Sequence, residues 1–231
     1  MTSLLTAYRR FLNTLPAFDG IPALLIRLYL APVFIMAGFS KTQLLSEDVS
    51  GLAAFMVDPN IIAWFGNSDW GLGLPFPALL ANLVILVEFF GGWLLLVGAL
   101  TRLVSIPLMF TMIVAATTVH ADNGWFAITP TNSDISAAKV LDWLGVDQAQ
   151  ASLDNSADTA NRLAKMREIL DENGNTEWLY GNGNIVVLNN GIEFSATYFI
   201  MLLALFFIGA GRYTSIDYYM GSRLLPKQRT F

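Results

Sequence analysis

Four long apolar runs decide most of what this chain can fold into: residues 21–39, 76–100, 103–120 and 194–211. A hydrocarbon core about 30 Å thick is crossed by about 20 apolar residues in a helix. Backbone in lipid must satisfy its own hydrogen bonds, so each run is expected to be helical. Arg27 and Pro32 interrupt the first run and Pro107 the third. Proline is tolerated in a spanning helix because neighbouring groups re-satisfy the freed carbonyl. Charged residues make up 13% of the chain, against about 25% in soluble domains. The expected fold class is an all-α membrane protein, a four-transmembrane-helix bundle in a lipid bilayer.

Basic residues orient it. Arg9, Arg10, Arg102, Arg212, Arg223, Lys227 and Arg229 fall on one side in short segments. The other side has Lys41 and four basic residues inside a long loop rich in Asp and Glu. The positive-inside rule then puts both termini in the cytoplasm. Residues 1–20 carry Arg9 and Arg10 without an apolar stretch and small-residue cleavage site, so they read as a retained cytoplasmic or interfacial segment. Residues 21–122 hold three spans with an external loop at 40–75, and a tight hairpin through Thr101 and Arg102 joins the second and third. Residues 123–190 form an external insertion, and 191–231 the fourth helix and a cytoplasmic tail. Within the insertion, 156–174 has helical apolar spacing with Ser156 as N-cap and Gly174 as stop. Residues 178–191 read as two short strands around a Gly-Asn turn. The insertion between helices 3 and 4 is thus expected to be a helix-plus-hairpin subdomain.

The absence of cysteine excludes a thiol–disulfide relay, a cysteine-bound iron–sulfur cluster and CxxCH haem attachment in this chain. A net charge of −5 argues against nucleic acid as a partner. Interest falls on charges inside the apolar runs. With span 1 leaving the membrane at Phe39 and span 2 entering at Phe76, Arg27 and Glu88 each lie 12 residues inside, about 18 Å deep. Equal depth on adjacent antiparallel helices predicts an Arg27–Glu88 pair, since a lone carboxylate in hydrocarbon is expensive. Two readings follow. The pair is a structural tie that fixes helix register, or it handles protons and charge as a catalytic element. Gly91 and Gly92, on the Glu88 face, leave room for another helix backbone or a flat ligand. Tyr198 can donate to a carbonyl or anchor the helix at the interface. An outer-face polar cluster is expected from Lys41, His120, Asp122 and Glu193, suited to relaying a proton, binding a polar head group, or pairing at the interface. One histidine without cysteine is a poor metal site, and Met36, Met109, Met112 and Met201 read as packing, so no metal ligands are assigned.

These residues carry a resemblance. The Arg27 helix ending in GFSK (38–41), the Glu88 helix followed by GG and GALTR (98–102), AATTVH (115–120) and GAGRYTSID (209–217) resemble the DoxX family of four-helix bacterial membrane proteins. The segment IAWFGNSDWGLGLPFPALLANLV is similar to the HvfX-like subgroup tied to copper-responsive peptide maturation. The likeness covers the four helices but not most of 123–190, which lies between two similar elements, Asn123-Gly124-Trp125 and Asn190-Gly191-Ile192. Membership implies the bacterial inner membrane. It also implies a link to oxidoreductase systems, since founding members are similar to subunits of a thiosulfate:quinone oxidoreductase. The expectation is a quinone-linked membrane subunit in which Gly91, Gly92 and Tyr198 admit the quinone, Glu88 and Arg27 handle its protons, and a soluble or membrane oxidoreductase partner supplies electrons. Two other readings stay open: a non-catalytic membrane partner that docks a soluble enzyme, as in metal-linked peptide maturation, and a protein handling small solutes or metal ions.

Overall fold

The computed structural model describes residues 2–224. Lys227 and Arg229, used above for orientation, lie outside them. The described residues are helical, with two isolated antiparallel bridges and no strand. They divide into two compact units, one running to Val114 and resuming at Thr197, the other Ala115–Ala196.

In the first unit, three helices are long and apolar enough to cross a membrane: Gly20–Phe39 (span 1), Pro77–Val97 (span 2) and Thr101–Asn123 (span 3). Each keeps large apolar residues exposed on the stripe that a lipid-facing helix needs. On span 2 these are Leu79, Leu83, Leu86, Phe90, Trp93 and Val97, and on span 3 Leu103, Ile106, Phe110 and Ile113. Their spacing of three and four residues keeps each set on one helical face. The inward faces meet in one core that includes Leu30 and Phe34, Leu95, Leu108, and Leu202 and Leu205 of the fourth helix.

That fourth helix, Glu193–Ile208, has 16 residues. It spans about 24 Å at the ordinary rise, shorter than the run 194–211 suggested. It stops at Ile208 because Gly209 and Gly211 take φ of +82° and +90°, a left-handed conformation that glycine adopts without steric cost. The apolar count over 194–211 did not register those two glycines as a terminator.

The first helix, Thr2–Thr14, exposes Leu4, Leu5, Tyr8, Phe11 and Leu12. All five fall on one face, the pattern of a helix lying in a membrane interface. The loop after span 1 is ordered. Gln43 N–H donates to the Met56 carbonyl and Asp58 N–H to that of Lys41. Helix Pro59–Gly66, capped by Asp58, packs on the start of span 2 through Phe65, Ala81 and Ile85.

In the second unit the long helix is Asp147–Asn173, not 156–174. Ser156 is buried in mid-helix and donates back to the Ser152 carbonyl, so it is no cap. The stop at Gly174 is as expected. The hairpin over 178–191 does not form. Thr176–Leu179 is a helical turn, and the following residues pair upstream, through the bridge Ile128↔Leu188 and the bond from Thr129 N–H to the Val187 carbonyl. Alternating apolar residues identified an extended segment, but its partner was 60 residues away, beyond the reach of a local turn rule.

The two Asn-Gly elements run antiparallel. Gly191 N–H donates to Phe126 O, Ile192 N–H to Gly124 O and Glu193 N–H to Trp125 O. A side chain at Gly191 would strike the carbonyls of Gly124, Trp125 and Phe126. Gly191→Ala should therefore open this neck, seen as at least a ten-fold rise in amide exchange at Ile192 and Glu193, about 1.4 kcal/mol of local stability. Unchanged exchange there would show that the backbone shifts to absorb the methyl.

Candidate functional site

The register between spans 1 and 2 fixes the placement of every buried charge. Gly38 lies against the Phe89 backbone, where a Cβ would come within 2.5 Å of the amide nitrogen. Gly92 lies against Ala31 and Ile35. Arg27 therefore comes level with Leu95 and Leu96, and Glu88 comes level with the last turn of span 1. The predicted Arg27–Glu88 pair does not exist. The error was to start both spans at one height. Span 2 begins some ten residues further out, and its first turns are clothed by helix Pro59–Gly66 rather than by span 1.

Glu88 pairs instead with Lys41. The ammonium Nζ sits 2.5 Å from Oε2 and also donates to the Ala37 carbonyl. The Glu88 side chain is 7% exposed and that of Lys41 23%. The carboxylate stands on a π-turn, Leu86–Phe90, within an otherwise α-helical span. Such single wide turns occur often at functional sites, and nothing in apolar periodicity marks them. Lys41 is held by the return of the outer loop: its carbonyl accepts from Asp58 N–H, and Thr42 bridges Val57. Asn82 ties this loop to span 2, accepting from Val57 N–H and donating to the Ala78 carbonyl. Beside the pair runs a row of aromatic rings. Phe89 lies 6.4 Å from Phe55 and 5.3 Å from Phe90, centroid to centroid.

Arg27 is wholly buried and serves the other end of the bundle. One guanidinium nitrogen donates to the Leu95 and Leu96 carbonyls at the end of span 2, and the other to the carbonyl and hydroxyl of Thr214. Gly98, at φ +66°, makes room: any Cβ there would collide with the guanidinium. Asp217 accepts from Leu100 and Thr101 N–H, capping the first turn of span 3, and its own N–H donates to Gly98 O. The motifs 98–102 and 211–217 are thus the two halves of one knot around Arg27. In this place Arg27 is a tie between chain segments, not a partner in chemistry at Glu88.

The two glycines face protein. A Cβ on Gly91 would meet Val104 and Leu108 of span 3, and one on Gly92 the backbone of span 1. At Gly92 the close approach is that of a helix backbone, and at Gly91 it is that of apolar side chains. Tyr198 packs its ring against Tyr29 and Phe34 and shares a hydrogen bond with Tyr29.

The expected outer-face residues fall in both units. Lys41 is committed to Glu88. In the second unit His120 Nδ1 lies 2.8 Å from the Asn190 carbonyl, which only accepts, so Nδ1 carries the proton. Glu193 Oε2 accepts from Ala127 N–H, and Asp122 is exposed. His120 and Glu193 thereby brace the paired Asn-Gly neck. Among the described residues, no three His, Cys, Asp or Glu side chains gather to hold a metal ion.

What the site can do chemically is confined to the Lys41–Glu88 pair. It offers a nearly buried carboxylate able to exchange a proton and a partly exposed ammonium able to donate to a carbonyl. A family model, DoxX, matches residues 23–121, which takes in spans 1 to 3, Arg27, Lys41, Glu88 and His120. No curated protein and no solved structure matches the chain.

Proposed function

On the premise that the chain belongs, through residues 23–121, to the DoxX family of membrane proteins generally associated with oxidoreductase systems, we propose that it is the membrane subunit of a quinone-linked oxidoreductase. The observation that carries this reading is the Lys41–Glu88 pair on a π-turn, beside the Phe55–Phe89–Phe90 row. A buried ionisable pair in a membrane span points to proton or substrate handling. Lys41 donates to a quinone carbonyl, the aromatic row receives the ring, and Glu88 passes one of the two protons that accompany two-electron reduction to quinol. The electrons come from a partner or soluble donor. In this reading the chain sits in the bacterial inner membrane as four spans with both termini cytoplasmic, and residues 123–190 are an external insertion.

A second reading has a specific observation behind it. In the second unit Trp143 and Leu144, just before the long helix Asp147–Asn173, are 73% and 74% exposed, an apolar tip that suits docking of a soluble enzyme, for example in metal-linked peptide maturation.

Lipid extraction of protein purified into nanodiscs separates the two. The first reading expects quinone retained near one per chain, falling at least five-fold in Glu88→Gln and Lys41→Met protein that is still folded by its unfolding titration. Quinone at the bilayer's background ratio in all three, with a co-purified soluble protein, would favour the second. Orientation has its own check. A cysteine placed at exposed Asn155, in a chain with none of its own, should react with an impermeant maleimide in intact spheroplasts. Protection until lysis would reverse the topology.

A further inference from the structure

At the Arg27 end of the bundle a cavity of about 910 Å³ opens between the start of span 1, the start of span 3 and the turn that ends the fourth helix. Its floor and rim are polar: Arg102, Arg212, Ser215 and Tyr218. Its walls are apolar, with Leu103 and Ile208 among them. Leu103, on span 3, and Ile208, at the end of the apolar fourth helix, are 63% and 52% exposed. The cavity is therefore placed at the level where hydrocarbon gives way to head groups. Helix ends fix that level independently, since spans 1 and 3 begin at Gly20 and Thr101 and the fourth helix ends at Ile208.

We infer that this cavity binds the phosphate head group of an anionic phospholipid, with one acyl chain against Leu103 and Ile208. The two guanidinium groups are held ready for a phosphodiester. Arg102 spends one nitrogen on the Phe207 carbonyl, and its guanidinium lies in van der Waals range of Gly209. Arg212 pairs with Asp19 through Nε alone, at 3.0 Å. Each fork has five N–H donors, and planar forks match phosphate oxygens in pairs. The Asp19–Arg212 pair is half exposed on both sides, so it yields readily to a better-matched anion. Asp217 does not repel the ligand strongly, because both of its oxygens are taken by the Leu100 and Thr101 amides. Basic pockets between membrane helices, flush with the head groups, recognise anionic lipids by this chemistry.

The test reads retained lipid and is independent of quinone. Full-length protein is reconstituted in nanodiscs of phosphatidylcholine with one-fifth phosphatidylglycerol, re-extracted in mild detergent, and its lipid analysed by mass spectrometry. Wild type should hold phosphatidylglycerol above its bilayer ratio. Arg102→Gln and Arg212→Gln should each lower that enrichment about five-fold, matching roughly 1 kcal/mol per basic residue near an anionic surface. Asp19→Asn releases Arg212 and should raise it, a gain that misfolding does not produce. No enrichment in wild type, or no rise in Asp19→Asn, overturns the proposal. So does inorganic phosphate that competes off the lipid at low millimolar concentration, because the site is then one for a free anion.

Discussion

Arg27→Ala should cost the bundle about 3–5 kcal/mol, the loss seen when one member of a buried charged network is removed. The residue has no exposed surface and is the only described donor to Leu95 O, Leu96 O and Thr214 O through its side chain. Its removal takes a donor from three carbonyls, of which Leu95 O keeps the Gly98 N–H, and leaves a void the size of an arginine. Arg27→Lys should recover little, since one ammonium cannot reach both the end of span 2 and Thr214. Gly98→Ala should act through the same contact, by driving a methyl into the guanidinium and by straining a residue at φ +66°. The double variant should therefore cost less than the sum of the two. Unfolding titrations in mixed micelles measure all four variants. An Arg27→Ala protein as stable as wild type would show that the knot is not what joins these segments.

At the other end, Lys41→Met should cost about 2–3 kcal/mol. The usual loss for a broken buried pair is larger, but the Lys41 side chain is 23% exposed and water screens part of the interaction. Glu88→Gln should cost under about 1.5 kcal/mol, because the amide oxygen still accepts from the ammonium. Lys41→Met with Glu88→Gln should be more stable than Lys41→Met alone, since no unpaired carboxylate is left. The same unfolding titrations give the cycle. An additive double variant would mean that the two side chains do not interact, and the pairing would have to be abandoned.

These two sites show what could be read from the chain and what could not. The spans were legible because a bilayer demands a length of apolar residues, and length can be counted. The identity of the interesting charges was legible too, because Arg27 and Glu88 are expensive where they lie. Their partners were not. Pairing depends on the register of two helices, and that register is set by Gly38 seating on Phe89 and Gly92 on Ile35. It is set again by an outer loop that packs on the start of span 2. A one-turn error in register, about 5.4 Å, is enough to replace one partner with another. The π-turn at Glu88 left no trace in composition. The glycines at 91 and 92 announced a close approach, but only the structure tells whether helix or ligand makes it. In the second unit the paired Asn-Gly elements were visible as a repeat, while their hydrogen bonding to each other spans more than 60 residues and lies outside local rules.

A quinone head group received by the Lys41–Glu88 pair should be visible in the protein itself. A density map of the protein in nanodiscs containing ubiquinone, with a bound antibody fragment to aid alignment, tests it most directly. The account predicts ring-shaped density within hydrogen-bonding distance of Lys41 Nζ and beside Phe89, absent from the Glu88→Gln map. Density confined to lipid at that position, with the quinone elsewhere or nowhere on the chain, would contradict it.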